Sequence, residues 1–413
     1  MARSLSRFAV AVVFAVSAAH ARGEAISTLC TESEVTLNAM TSVSRLERCG
    51  DETSSEALLW HLDRIDQIGG GTLDGIADRG NGGAGSVIYI MDTGVMASHS
   101  EFASLTGSRI IAGYDTAGTL ALGRSVCQSD NKATAPCYED VDELAAASHG
   151  TGVASIAAGR NVGVAPQAMV VSIRVMNERG LATTRTYMNG LEAVIRHAWD
   201  PASPNVRTAV VNISGWVLET LIKADRRTMV PFDALEAKMR DMIEGVDAQG
   251  HRDPNGKRFL FVVAANNVDG GCGPTGEIDR FPARIGDAVE GMITVGGMTA
   301  NNLAWGGTCR GGVEVLAPAQ SVFSATITAE DHYRGRRPNL RSGTSFAAPI
   351  IAGIAARLLS DRPDMTPQQL EAWITATPSR VYDPSTPLAD GRVAYVRSIA
   401  PAASTTAHAT LQP

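Results

Sequence analysis

The sequence predicts an α/β protein of three layers, a mostly parallel sheet with helices on both faces. Short runs rich in β-branched residues recur at 87–91, 169–175, 209–214, 259–264 and 292–295. They are apolar almost throughout, as strands covered on both faces are. Helical patterns lie between and after them, at 148–158, 187–198, 232–246, 345–359 and 366–376. Strands alternating with helices of this length need crossover connections, and those produce a parallel sheet. In such folds ligands sit beyond the carboxyl ends of the strands, so polar residues there carry the functional expectations.

Composition narrows the partners. The chain has 413 residues, 44% hydrophobic and 19% charged, enough to bury a real core and to exclude disorder of the whole. Lys and Arg number 36 against 43 Asp and Glu, a net charge of −7. That leaves no basic excess to grip a phosphate backbone, so nucleic acid is not expected as a partner. The six cysteines suit three disulfides in an oxidising compartment or inert core thiols elsewhere.

The first residues point to the oxidising alternative. Arg3 and Arg7 precede an uncharged run at 8–19, followed by Ala19-His20-Ala21. This reads as a signal peptide over 1–21, the run being too short to span a bilayer. No later stretch is long and apolar enough to do so. The expectation is an exported protein, extracellular or periplasmic if bacterial, with no membrane contact in its mature form. Residues 22–57 are polar and carry Cys30 and Cys49, a short segment that processing could remove. Residues 401–413 are rich in Ala, Ser, Thr and Pro and read as a disordered tail.

Chemistry-bearing residues follow in order. Asp92 ends the first strong strand in Asp92-Thr93-Gly94, as a buried electrostatic partner or a turn former. An aspartic protease also uses Asp-Thr-Gly but needs a second carboxylate. Asp115-Thr116-Ala117 is the nearest approach to one. Of the eight histidines, His20 falls in the signal and His408 in the tail, while His61, His251 and His332 lie among polar residues. His197 reads as an ordinary helix residue. His149 instead opens His149-Gly150-Thr151-Gly152-Val153-Ala154-Ser155, a helix small enough to pack closely with an imidazole at its start. Asn266 and Asn267 close a strand, where a side-chain amide can donate to an oxyanion or simply turn the chain. Ser345, in Gly343-Thr344-Ser345-Phe346-Ala347-Ala348-Pro349, feeds a helix whose free N–H groups favour a developing oxyanion. The alternative is a plain N-cap, and the Gly-x-Ser-x-Gly elbow of α/β-hydrolases is not met.

In the order Asp92, His149, Asn267, Ser345, these segments resemble the subtilisin family of serine proteases, most of all its proteinase K-like branch. The likeness runs from about Leu59 to Ala376. It includes Trp60-His61-Leu62-Asp63, the Asp92-Thr93-Gly94 segment with Ser98-His99-Ser100-Glu101-Phe102, His149-Gly150-Thr151, and the serine segment. The resemblance implies a subtilisin-like peptidase domain over 58–400 that hydrolyses peptide bonds of protein or peptide substrates through an acyl-enzyme. Ser345 is then the nucleophile, His149 the base and acid, Asp92 its orienter and Asn267 an oxyanion donor. No metal or cofactor takes part in that chemistry, and His99 is structural. Ser214, Gly215 and Trp216 stand where the family has its substrate-pairing strand.

Departures accompany the likeness. Gly152 replaces a second His, a change expected to remove packing near the base. Asn266 replaces a Gly, a substitution expected to strain the backbone. Trp216 is expected to narrow the primary pocket. Cys272 and Cys309 resemble a disulfide of bacterial relatives, with Cys127–Cys137 and Cys30–Cys49 completing a set. Glu139, Asp140, Asp142 and Glu143 form a solvated loop or a structural calcium site. Asn212-Ile213-Ser214 is a glycosylation sequon on a predicted buried strand, where no glycan is expected. Two rival functions stay open: an inactive, protease-like binding protein and a secreted esterase using the same acyl chemistry.

Overall fold

The stretch Val87–Asp92 is buried at every position and is paired on both sides. The structure, a computed structural model, describes residues 43–45, 59–65, 73, 76–105, 107–117, 148–177, 180–217, 230–246, 250–252, 256–269, 271–327 and 340–376. Its strands are β1 (Val43–Arg45), β2 (Ile76–Asp78), β3 (Val87–Asp92), β4 (Ala103–Ser104), β5 (Gly107–Ser108), β6 (Ile110–Asp115), β7 (Met169–Arg174), β8 (Thr208–Ile213), β9 (Arg258–Ala264), β10 (Met292–Met298), β11 (Val315–Pro318), β12 (Val322–Phe323) and β13 (Leu340–Arg341). The helices are α1 (Trp60–Arg64), α2 (His149–Ala158), α3 (Thr184–Trp199), α4 (Phe232–Glu244), α5 (Thr344–Asp361) and α6 (Pro367–Ala376).

The main sheet has seven strands in the order β11-β10-β9-β8-β3-β7-β6, and every neighbouring pair is parallel. Side chains alternate across it with the period of a strand. Val87, Tyr89 and Met91 pack with Leu191 of α3 and Met239 of α4 on one face. Ile88 and Ile90 pack with Val153 of α2, Ile350 of α5 and Leu370 of α6 on the other. Each such fully buried side chain stabilises the fold by about 1.5–3 kcal/mol relative to exposure. This is the three-layer arrangement expected from the sequence.

The outer strands β6 and β11 were not expected from the apolar runs. β6 is interrupted by Gly113 and ends in Tyr114-Asp115, and β11 has four residues ending in Pro318, too little pattern for a strand to announce itself. His61 is a correction. It is fully buried, with Nε2 bonded to the Val162 carbonyl at 2.9 Å, because α1 lies inside the layer formed by α2 and α5 rather than on the surface. Burial lowers its pKa to about 4. His197 is buried with Nδ1 bonded to the Tyr89 hydroxyl at 2.9 Å.

The 1–21 segment, residues 22–42, Cys30, Cys49, Cys127, Cys137, Glu139, Asp140, Asp142, Glu143, His332 and the 401–413 tail lie outside the described residues. No described helix is long and apolar enough to cross a membrane.

Candidate active site

The chain leaves β3 for β6 on one side and later crosses to β8 on the other. Strand order therefore reverses at β3, and the carboxyl end of such a strand opens a crevice. Asp92 stands at that end, wholly buried. Its Oδ1 accepts the Thr93 N–H at 2.7 Å and pairs with His149 Nδ1 at 2.8 Å. A carboxylate only accepts, so Nδ1 carries the proton and the neutral ring keeps its lone pair on Nε2. The His149 side chain remains 22% exposed.

Small residues let the start of α2 reach Asp92. A methyl group at Gly150 would lie 2.2 Å from the Gly94 carbonyl oxygen and 3.1 Å from Asp92 Oδ1, so only glycine fits. The Gly150 N–H donates to Thr93 Oγ1 at 2.9 Å, and Met96 N–H donates to Thr151 Oγ1 at 3.1 Å. The Asp-Thr-Gly and His-Gly-Thr segments are thus stitched to one another. Ser148, just before the helix, takes a left-handed φ of 66°, and its hydroxyl accepts from Arg341 Nη2.

Gly152 corrects an expectation. The space beside it is filled: Ser324 Oγ stands 3.1 Å from where a Cβ would be. Ser155 Oγ accepts the Ala325 N–H at 2.9 Å and donates to the Gly152 carbonyl at 2.7 Å. Packing near His149 is supplied by the chain at 324–325 in place of an imidazole.

Ser345 is the second residue of α5 and is 7% exposed. Its N–H is among the helix-start amides that have no intrahelical acceptor. Phe346 brings the segment against His149, the two rings 5.3 Å apart between centroids. Among the described residues the Ser345 hydroxyl makes no hydrogen bond to His149, a contact that commonly tightens only when substrate binds.

Asn267 lies beside the same helix start. Its Oδ1 accepts the Thr344 N–H at 2.9 Å and the Thr344 hydroxyl at 3.1 Å. An N–H can only donate, so Oδ1 is fixed on that side and Nδ2 is turned the other way, 3.4 Å from where a Gly343 Cβ would stand. Gly343 has φ 149°, where side chains are disfavoured. Asn266 takes a left-handed φ of 67°, a conformation Asn adopts more readily than most residues. The disulfide Cys272–Cys309, with Cα atoms 5.5 Å apart, ties down the neighbouring loop, and Cys309 N–H donates to the Asn266 carbonyl at 3.2 Å.

Ser214 and Gly215 follow β8 beneath α5. Ser214 Oγ donates to the Ser345 carbonyl at 2.8 Å and accepts from Asn212 Nδ2 at 3.0 Å. Asn212 is fully buried. Gly215 packs on Met176, whose terminal methyl lies 2.1 Å from a hypothetical Gly215 Cβ, and Trp216 is partly buried. Asp115 ends β6 and pairs with Arg174 at 3.6 Å, remote in role from Asp92. His99 is buried and accepts the Glu101 N–H at 3.1 Å. Among the described residues no three His, Cys, Asp or Glu side chains come together as a metal site.

Sequence reading missed Thr93, Thr344 and Pro349 as supports of the site. Their signal was present, since each flanks or lies within a singled-out motif. A carboxylate on Nδ1, an Nε2 lone pair, a hydroxyl at a helix start and an amide donor beside that start can together move a proton and stabilise an oxyanion.

The chain is similar to several known proteins. "Alkaline serine exoprotease A" of Vibrio alginolyticus is 28% identical over 321 residues, covering 78% of this chain and 47% of its own length. "Extracellular serine proteinase" of Thermus sp. (strain Rt41A) is 30% identical over 329 residues, covering 78% and 62%. The chain thus spans about half to two-thirds of the length of these curated relatives. The crystal structure of a cold adapted subtilisin-like serine proteinase superposes with a TM-score of 0.56 at 25% identity, covering 81% of this chain and 97% of that one. Residues 83–396 match Peptidase_S8, the Subtilase family, and on that extent of match the chain belongs to the subtilase family.

Proposed function

We propose that this protein is a serine endopeptidase that hydrolyses peptide bonds of protein or peptide substrates through an acyl-enzyme. The observation that carries the reading is the Asp92–His149 hydrogen bond at 2.8 Å, set against the helix start that holds Ser345. His149 Nε2 takes the proton of the Ser345 hydroxyl as its oxygen attacks the substrate carbonyl. Asp92, wholly buried, holds the ring and stabilises the imidazolium that forms. The tetrahedral oxyanion receives the Ser345 N–H and Asn267 Nδ2–H. Collapse expels the amine, which takes its proton from His149, and water repeats the sequence on the acyl group. Ser214, Gly215 and Trp216 flank the acyl side as the substrate-binding strand.

Export completes the proposal, supported by the residues at 1–21 and by the word "Extracellular" in the Thermus relative's name. Covalent labelling by a fluorophosphonate, with wild type and Ser345→Ala side by side, tests the enzyme reading. Labelling of wild type alone is expected. A folded wild type that resists the probe makes the protein an inactive binding relative, and ester turnover without protein cleavage makes it an esterase.

A further inference from the structure

Asn212 is a polar residue in the middle of the sheet. It stands in β8 between Ile90 of β3 and Val262 of β9 and is wholly buried. Strand alternation puts it on the face of Val210, which packs with Val262 and with Ile350 of α5. Burying an amide there costs free energy unless hydrogen bonds offset it. Its Nδ2 makes one, to Ser214 Oγ at 3.0 Å, while its Oδ1 finds no partner among the described residues. What this side chain supplies is therefore a single donor.

The direction of that bond is fixed by what lies beyond it. The Ser345 carbonyl can only accept, so the Ser214 hydroxyl gives it its one proton, over 2.8 Å. The hydroxyl oxygen is then an acceptor, and of the two amide atoms only Nδ2 can meet it. Without that donor the hydroxyl is free to turn its proton elsewhere. Asn212 thus orients the Ser214 proton, and that proton holds the peptide group of Ser345. The helix cannot do so by itself, since the N–H four residues on is missing at Pro349. On the other side, Asn267 Oδ1 holds the Thr344 N–H at 2.9 Å. Ser345 is clamped through the backbone on both sides, and with it the direction in which its Oγ leaves the chain.

Resting on the serine endopeptidase reading, we propose that Asn212 is a positioning residue for the reaction, aiming the Ser345 hydroxyl through Ser214. Asn212 is wholly buried, so it touches no substrate. Its effect falls on the attack step rather than on binding, and a misplacement of about 1 Å in that step costs on the order of 10²-fold.

Steady-state kinetics of the full chain with Asn212→Leu, Ser214→Ala and both together test it on a quenched peptide. Each kcat is referred to the active sites titrated by a fluorophosphonate, which removes molecules that failed to fold. Asn212→Leu keeps the volume and deletes the donor. It is expected to lower kcat about tenfold with KM within about twofold of wild type, and to slow fluorophosphonate labelling by a similar factor. Ser214→Ala should lower kcat at least as far. The double variant should lose no more than Ser214→Ala alone, because the amide acts only through that hydroxyl. Should Asn212→Leu fail to fold, Asn212→Ala deletes the same donor and is read in the same way. A kcat per active site unchanged by loss of the amide, a raised KM at constant kcat, or losses that add in the double variant each overturn the assignment. Lower stability with kcat per site unchanged is the outcome of a purely structural amide and overturns it too. Wild-type cleavage matched by the Asn212 variants sinks Asn212 alone, whereas a folded wild type that cleaves no peptide and resists the fluorophosphonate sinks the peptidase reading with it.

Discussion

The Ser345 carbonyl oxygen accepts the Ser214 hydroxyl at 2.8 Å. In an α-helix that carbonyl would receive the N–H four residues on, but the residue there is Pro349, which has none. The acceptor is buried, and Ser214 satisfies it. Ser214→Ala should therefore destabilise the protein by about 1–3 kcal/mol, the range for an orphaned buried acceptor. Pro349→Ala, which restores a backbone donor, should recover part of that loss in the double variant. Chemical denaturation of the four proteins checks it, and strictly additive effects would refute the link.

Asn267 does two jobs with two atoms, since Oδ1 anchors Thr344 and Nδ2 is left to donate. Asn267→Ala should lower kcat by roughly 10²–10³-fold and also loosen the start of α5. Asn267→Asp keeps an acceptor for the Thr344 N–H and places a negative charge at a helix N-terminus, where it is favourable. It should hold thermal stability nearer wild type than Ala does, while kcat falls at least as far. Steady-state kinetics beside melting curves separate the two atoms. An Asp variant as active as wild type would remove Nδ2 from the reaction.

Gly150→Ala tests the contact that brings α2 to β3. Its methyl would meet the Gly94 carbonyl at 2.2 Å, and backbone cannot swing aside as a side chain can. The expected result is a loss of about 1–3 kcal/mol with weaker fluorophosphonate labelling, because His149 moves with the helix. Wild-type stability and labelling together would show that the two segments are not held this closely.

His61 predicts an acid-side loss of stability. Burial, opposed in part by the bond to the Val162 carbonyl and reinforced by Arg79, brings its pKa from 6.5 down to about 4. Between those values the unfolded chain binds the proton and the native protein does not. The contribution is complete above about pH 6.5 and is lost as pH falls, reaching about 3 kcal/mol near pH 4. His61→Gln, which can still donate to Val162, should flatten that part of the stability curve between pH 6.5 and 4. Denaturant midpoints measured across the range decide it, and parallel curves for the two proteins would contradict the buried neutral His.

Much of this was legible in the residues. The apolar run at 87–91 announced a strand covered on both faces, and the small residues after His149 announced a close-packed helix. The disulfide Cys272–Cys309, implied by resemblance, is present. His61 was misread because its burial rests on a partner far away in the chain, the Val162 carbonyl 101 positions on, which no local pattern shows. Gly152 looked like a gap because nothing local shows that Ser324 fills the space beside it.

The sequence by itself determined the strand and helix alternation, the motifs around Asp92, His149 and Ser345, and through them the family. Local pattern suffices there, because strand burial and helix starts are written in consecutive residues. Only the tertiary structure decided which way the Asn267 amide faces and which hydroxyl serves the carbonyl freed by Pro349. Those depend on donors and acceptors far apart in the chain, as Ser214 and Ser345 are, 131 positions from each other. Packing the layers together is what makes such groups partners, and no local pattern encodes that choice.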